Sequence, residues 1–360
     1  MSQEKLNRFF IALMIHSTQT GVVIFTLPRI IATHFGANGW VALIIMFFLV
    51  SLNIMLINSV YRLGKGQSVF AILKSGLPRF LLIPIYLVLG SGLAMVGCLV
   101  VKQYVLIYQM LIFPQTPDML LKLVIDILVF IFVTKGIYTM SKANFFFLFL
   151  LFLMIPFSIV FIQNMDLSRM TPFLFQEGND LGKGIISMYG AFMGYELSIF
   201  LFPYAEKGKK WLKYIHLGNG LTLFIYLLVT ILCFGFFNYK ELVHLSFPLL
   251  DMFGYLRFPF VERIQNFLYS FFLLSIIFTS GMYYWCSQSV FTAMIPKLHW
   301  KWALFFLIGI TYFIAYIPKS LIIVEKWFGF LSYFQLGVAI GLPLLALLAL
   351  LLKKGRQAHA

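Results

Sequence analysis

The stretch Thr18-Gln19-Thr20-Gly21-Val22-Val23-Ile24-Phe25-Thr26-Leu27-Pro28-Arg29 decides how the chain is read. It lies inside an apolar run long enough to cross a bilayer. Yet it carries three consecutive hydrogen-bonding side chains, then a glycine, with a proline two turns later. A glycine in a helix interior costs about 1 kcal/mol, and a backbone N–H or C=O freed in hydrocarbon costs several more unless it lines a cavity or is covered by protein. A break at this depth therefore requires a cavity or a polar partner.

The surrounding composition establishes that the depth is that of a membrane. Of 360 residues, 61% are hydrophobic and 11% charged, and the mean hydropathy is +0.94. Apolar runs of about 20 residues, each able to cross about 30 Å of hydrocarbon, follow one another with short breaks. They predict ten spans, at roughly 9–33, 40–60, 80–112, 120–136, 143–163, 184–204, 214–237, 264–290, 301–317 and 329–352. The first run is far longer than the apolar region of a signal peptide and has no small-residue cleavage site after it, so it reads as a mature span. With the N-terminus inside, the cytoplasmic segments hold Lys5, Arg8, Arg62, Lys65, Lys74, Arg79, Lys135, Lys142, Lys207, Lys209, Lys210, Lys213, Lys297, Lys301, Lys353, Lys354 and Arg356, most of the 27 basic residues. Among the acids only Glu4 and Glu206 join them. Both termini are thus expected in the cytoplasm. The net charge of +15 reads as a topology signal with some attraction to anionic membrane lipid, not as a nucleic-acid surface.

The sixth predicted span is interrupted as well. It reads Ser187 to Tyr204, "SMYGAFMGYELSIFLFPY", with Gly190, Phe192, Gly194, Tyr195 and Glu196 at its middle. Gly21–Pro28 and Glu196–Pro203 align at a constant offset with Ile, Phe and Pro shared. Ten spans divide into five and five, about residues 1–165 and 180–360, and each half opens on a broken span. This is the pattern of an inverted repeat whose discontinuous helices meet near the midplane. Half-helix N-termini attract an anionic group and freed carbonyls hold a cation, so the ligand class suggested is a small zwitterion. A helix kinked and packed through its glycines, with no ligand, is the other reading.

Catalytic chemistry is not indicated. Cys98, Cys233 and Cys286 fall within predicted spans and read as small apolar residues. The six histidines are scattered without ligand spacing, and neither a Gly-rich phosphate loop nor a nucleophile with a nearby base is present in sequence. No enzyme, metal or cofactor is expected, and ten spans leave no soluble domain.

Four stretches together resemble the B subunit of nutrient germinant receptors of endospore-forming bacteria, a branch of the amino acid, polyamine and organocation transporter superfamily. They are "GVVIFTLPR" in the first span, "FMGYELSIFLFPY" in the sixth, "SFPLLDMFGYLRFPFVERIQNF" with Glu262-Arg263 before the eighth, and "YIPKSL" after the ninth. The resemblance covers the whole chain. It implies a LeuT-like fold of ten helices in two inverted repeats, residence in the spore inner membrane beside an A and a C subunit, and recognition of a small nutrient, an amino acid above all. A free-standing amino-acid permease working by alternating access is the alternative. Two departures stand out. Gln19 occupies a position where the family commonly has a second glycine, and the fifth span, Ala143–Gln163, lacks the lysine that some proton-coupled relatives carry.

The candidate ligand-binding residues are Thr18, Gln19, Gly21 and Val22 at the first break, and Gly190, Phe192, Gly194, Tyr195 and Glu196 at the second. Lys102 in the third span and Thr279 and Ser280 in the eighth complete the set. Glu196 is costly at membrane depth and so is read as functional or as a tie between the broken spans. Lys102 resembles a basic family position and either snorkels or pairs internally. Tyr104 and Tyr108 read as interfacial anchors, and Gly90, Ala94 and Gly97 as a close helix contact.

Overall fold

A computed structural model describes residues 5–152, 155–170, 175, 178–205, 211–256 and 264–358. The described residues are almost entirely helical. The helices are α1 (Arg8–Gln19), α2 (Val23–Phe35), α3 (Trp40–Leu63), α4 (Val69–Gly76), α5 (Arg79–Leu111), α6 (Asp118–Thr134), α7 (Gly136–Phe152), α8 (Ile155–Ile162), α9 (Leu181–Ala191), α10 (Trp211–Phe236), α11 (Tyr239–His244), α12 (Pro248–Gly254), α13 (Ile264–Met294), α14 (Trp300–Ile314) and α15 (Leu321–Ala358), with a 3₁₀ segment at Tyr195–Tyr204. Glu177, Glu206, Lys207, Lys209, Lys210 and the Glu262-Arg263 pair lie outside the described residues.

Among the described residues six helices are long and apolar enough to cross a membrane, or seven if the bent pair α1 and α2 forms one span. The protein is thus a multi-pass membrane protein. Two predicted spans fall short of that measure: helix α6 has 17 residues and two charges in its middle, and α14 has 15 residues. The fifth run holds α7 and α8 on either side of residues 153–154, which lie outside the described residues.

Helix α13 is the central pillar, packed most extensively against α5. The close contact expected at Gly90 and Gly97 is present: a Cβ on Gly90 would lie 2.6 Å from the Phe291 ring. The contact is also polar, since the Ser287 hydroxyl donates to Gly90 O at 2.7 Å and the Ser280 hydroxyl to Gly97 O at 2.9 Å. Tyr104 departs from the expected interfacial anchor. It is fully buried, stacked on Tyr269 at 4.7 Å, with its hydroxyl donating to Tyr269 O at 3.1 Å. Two adjacent tyrosines on α5 met a partner tyrosine on α13, and ring stacking inside the bundle replaced anchoring at its rim.

Helix α6 turns its charges inward and its apolar side chains to lipid. Leu120, Val124, Ile127 and Ile131 are exposed, while Lys122 and Asp126 are buried and paired at 2.5 Å. Lys102 resolves to internal pairing: it is buried against Asp118 and donates further to Met119 Sδ at 3.2 Å.

Candidate functional site

The opening stretch ends one helix and starts another. Thr18 Oγ1 donates back to Met14 O at 2.6 Å and Thr20 Oγ1 to His16 O at 2.8 Å, so both hydroxyls terminate α1 on its own carbonyls. Helix α2 restarts at Val23 on an axis turned by 60°. The second break follows Ala191, where α9 gives way to Phe192–Gly194 and then to ten residues of 3₁₀ helix, an uncommon length for that geometry.

The two breaks touch. Gly194 has φ +122°, a conformation L side chains rarely adopt, and a Cβ there would lie 2.8 Å from the Thr18 carbonyl carbon. The Gln19 side chain crosses the contact: its Nε2 donates to Phe192 O at 2.7 Å and to Asn219 Oδ1 at 3.1 Å. From α10, the Tyr226 hydroxyl lies 2.8 Å from both Gln19 O and Ala191 O. From α13, Thr279 Oγ1 donates to Ser17 O at 2.9 Å. Carbonyls freed by the two breaks are thus largely met by side chains from neighbouring helices.

Beside the breaks opens a cavity of about 550 Å³, within the range of small-molecule sites. Its floor is the start of α2 (Gly21, Val22, Val23) and the end of α9 (Gly190, Ala191). Gln103 of α5, Tyr283 of α13 and Gln335 and Ser332 of α15 add polar groups, and Val96, Val100, Ile30 and Phe328 an apolar wall. At the far rim Arg29 of α2 pairs with Glu325 of α15 at 3.0 Å, both partly exposed.

Of the expected residues, the structure gathers Thr18, Gln19, Gly21, Val22, Gly190 and Thr279 on this cavity. Phe192, Gly194 and Tyr195 sit behind it in the second break: Phe192 meets Gln19 through its carbonyl, and the Tyr195 hydroxyl pairs with that of Tyr189. Lys102 and Ser280 point away from the cavity, Lys102 toward Asp118 and Ser280 toward α5. Glu196 is buried one layer back. Its Oε2 accepts the Gly194 N–H at 2.6 Å, and its Oε1 lies 3.5 Å from the Tyr283 hydroxyl, which accepts from Gln335 Nε2 at 2.7 Å. A relay of three side chains therefore joins the second break to the cavity wall. Gln103, Tyr283 and Gln335 were not singled out by the sequence; a lone amide, or for Tyr283 a lone phenol, in an apolar run is their only signal. Just beyond the membrane end of α9, Asp180 caps the helix, and its hydrogen bonds from Lys183 hold its carboxyl below the usual carboxylate range.

A transporter of known structure shares this architecture. Mhp1, a nucleobase-cation-symport-1 family transporter in a closed conformation with bromovinylhydantoin bound, superposes with a TM-score of 0.62 over 92% of this chain and 75% of its own, at 12% identity. Similar sequences are the spore germination protein GerQB of Bacillus cereus, 23% identical over 72% of each chain, and the spore germination protein A2 of Bacillus subtilis strain 168, 25% identical over 73% of each chain. The family model of spore germination proteins matches residues 5–322. A broken-helix cavity in a transporter fold and a family match over nearly the whole length lead to one assignment: the chain belongs to the spore germination protein family.

Proposed function

We propose that the chain is the nutrient-sensing membrane subunit of a spore germinant receptor, with ten spans in two inverted five-helix halves and both termini in the cytoplasm. In this reading it resides in the spore inner membrane beside A and C subunits. The observation that carries the reading is the cavity between two broken helices. The start of α2 offers N–H groups and a positive dipole end to a carboxylate. Backbone and side-chain oxygens around Gly190 and Ser332 face an ammonium group, and Val96, Val100 and Phe328 enclose a small apolar side chain. An amino acid is the ligand class that satisfies all three. Binding shifts the population between two packings, and the partner subunits read the shift. The Arg29–Glu325 pair at the rim suits a closure that keeps the ligand in.

Gly21→Val tests the ligand site. The nearest atom to a Cβ on Gly21 is Thr279 Cγ2 at 3.9 Å, so the protein has room for the substitution while the added methyls enter the cavity. The expected result is a nutrient dose response shifted by about one to two decades, from overpacking of about 1–3 kcal/mol, with the membrane level of the subunit retained. An unchanged dose response at normal level removes the cavity from ligand recognition. The orientation is tested by reporters: one fused after Lys213 is expected in the cytoplasm and one fused at Glu177 outside. Both on one side would break the five-plus-five arrangement.

A further inference from the structure

Helix α10 contributes no residue to the cavity wall, yet it holds both breaks. Its inner stripe, Gly218, Asn219, Thr222 and Tyr226, repeats at helical spacing, and each member is buried and committed. Thr222 Oγ1 donates to Gln19 Oε1 at 2.8 Å and faces His16 Nδ1 at 3.0 Å. Asn219 Oδ1 receives the Gln19 amide, and Asn219 Nδ2 passes the contact on to Ser51 Oγ of α3 at 3.3 Å. The Tyr226 hydroxyl bridges the last carbonyl of α1 and the last carbonyl of α9. At Gly218 the two helices approach so closely that a Cβ would lie 2.4 Å from Ala12 O. One amide and one phenol thus fasten α1, the Phe192–Gly194 turn and α10 together. The amide of Gln19, though it borders the cavity, is spent on protein partners.

We propose that this seam makes α10 the output element of the cavity, with Gln19 as its positioning residue: displacement of either break moves α10 against α3. The alternative is a bland polar patch in which α10 is scaffold and the breaks rearrange without it. Two features favour the seam. The ties run to both breaks, so neither can move alone without breaking a buried hydrogen bond at about 1–3 kcal/mol. The onward contact to Ser51 places α3 next in line. The functional meaning of the proposal rests on the cavity being a ligand site; its mechanics do not.

The test separates the two. Cys98, Cys233 and Cys286 are buried, so spin labels on the purified full chain in lipid discs can be directed to cysteines introduced at the exposed positions Phe224 of α10 and Phe48 of α3. A wedge is then set at the second break without any ligand. Gly194→Ala is the stronger wedge. Gly190→Ala is the milder, its Cβ meeting Ser332 of α15 at Oγ (2.7 Å) and Cβ (3.4 Å), and it serves if the first does not assemble. The expected result is a shift of about 1–2 Å in the α10–α3 distance, the scale of helix shifts in switching proteins. That shift is reduced in a Gln19→Leu background, which keeps the bulk and loses the amide while Tyr226 still ties both breaks, and restored in part by Gln19→Asn. No shift in the parent, or the same shift with Gln19→Leu, overturns the proposal. A mixture of the proteinogenic amino acids is then added to the unwedged parent. A shift in this arm supports the receptor reading; a null here beside a wedge-induced shift would count against the ligand class and leave the seam standing.

Discussion

Asp126→Ala is expected to destabilise the protein by about 3–5 kcal/mol, because it leaves the Lys122 ammonium buried without its counter-charge. Both side chains are buried in the bundle, 0% and 3% exposed, on successive turns of α6. The Tyr312 ring lies 5.7 Å from the Lys122 ammonium, and a ring face at that distance contributes about 0.5–2 kcal/mol, too little to stand in for a carboxylate. Lys122→Met alone is expected to cost a comparable amount, since Asp126 Oδ1 already has no hydrogen-bond partner among the described residues and Oδ2 would lose its only one. Replacing both, Lys122→Met with Asp126→Leu, removes the desolvation of two ions together and is expected to recover most of the loss. The measurement is the level of each variant in the membrane and its thermal unfolding in detergent. If the double variant is as damaged as the singles, the pair is held for a reason beyond mutual neutralisation. The same logic explains why a 17-residue helix with two charges in its middle lies inside a membrane protein at all: the pair at i, i+4 enters as a neutral unit and faces α5, α13 and α14.

Lys122 and Asp126 were not singled out in the sequence, where they are two charges within the predicted span at 120–136. Apolar run length and the glycines and polar residues inside the runs were enough to locate both breaks, because a Gly inside an apolar run has few cheap explanations at membrane depth. The contact between Gly194 and Thr18 was not legible, since it depends on how two distant segments are brought together by α10 and α13. Gln19 shows the same limit from another side. A polar residue beside a helix break is equally consistent with binding a ligand and with binding protein, and only the positions of Phe192 O, Asn219 and Thr222 decide which partners its amide has. Lys102 was ambiguous for a related reason: snorkelling and pairing differ only in where Asp118 lies, and Asp118 is on the next helix. The small polar residues of α13 divide by helical face, a matter of angle rather than spacing. Thr279 faces α1 and Ser280, one residue on, faces α5. The apolar run at 301–317 holds a helix, Trp300–Ile314, whose 15-residue length reflects the turn at Ala315–Ile317, which the apolar run concealed.

Glu196→Ala is expected to lower the membrane level of the protein severalfold, because the Gly194 N–H, held at φ +122°, would then have no acceptor in a dry interior, a loss of about 1–3 kcal/mol. Glu196→Gln keeps an acceptor for that N–H at nearly the same volume, so the level should persist. Its amide NH₂ would then face the Tyr283 hydroxyl, which already accepts from Gln335 at 2.7 Å. Two donors would point at one oxygen, and the phenol proton would be left without the carboxylate. The relay into the cavity wall is thereby reversed, and with the proposed function the loss of this 3.5 Å contact, about 0.5–1.5 kcal/mol, is expected to move the nutrient dose response by up to about one decade. Tyr283→Phe isolates the second effect, since it removes the link to the cavity and leaves the bond from Gly194 to Glu196 intact. It should shift the response while the level stays normal. The three variants are compared by protein level in the membrane beside the germination dose response that the proposed function predicts. Normal level with Glu196→Ala would mean that the second break is held without its carboxylate. An unshifted response with both Glu196→Gln and Tyr283→Phe would confine Glu196 to architecture, leaving the cavity to work through the backbone at Gly21 and Gly190 alone.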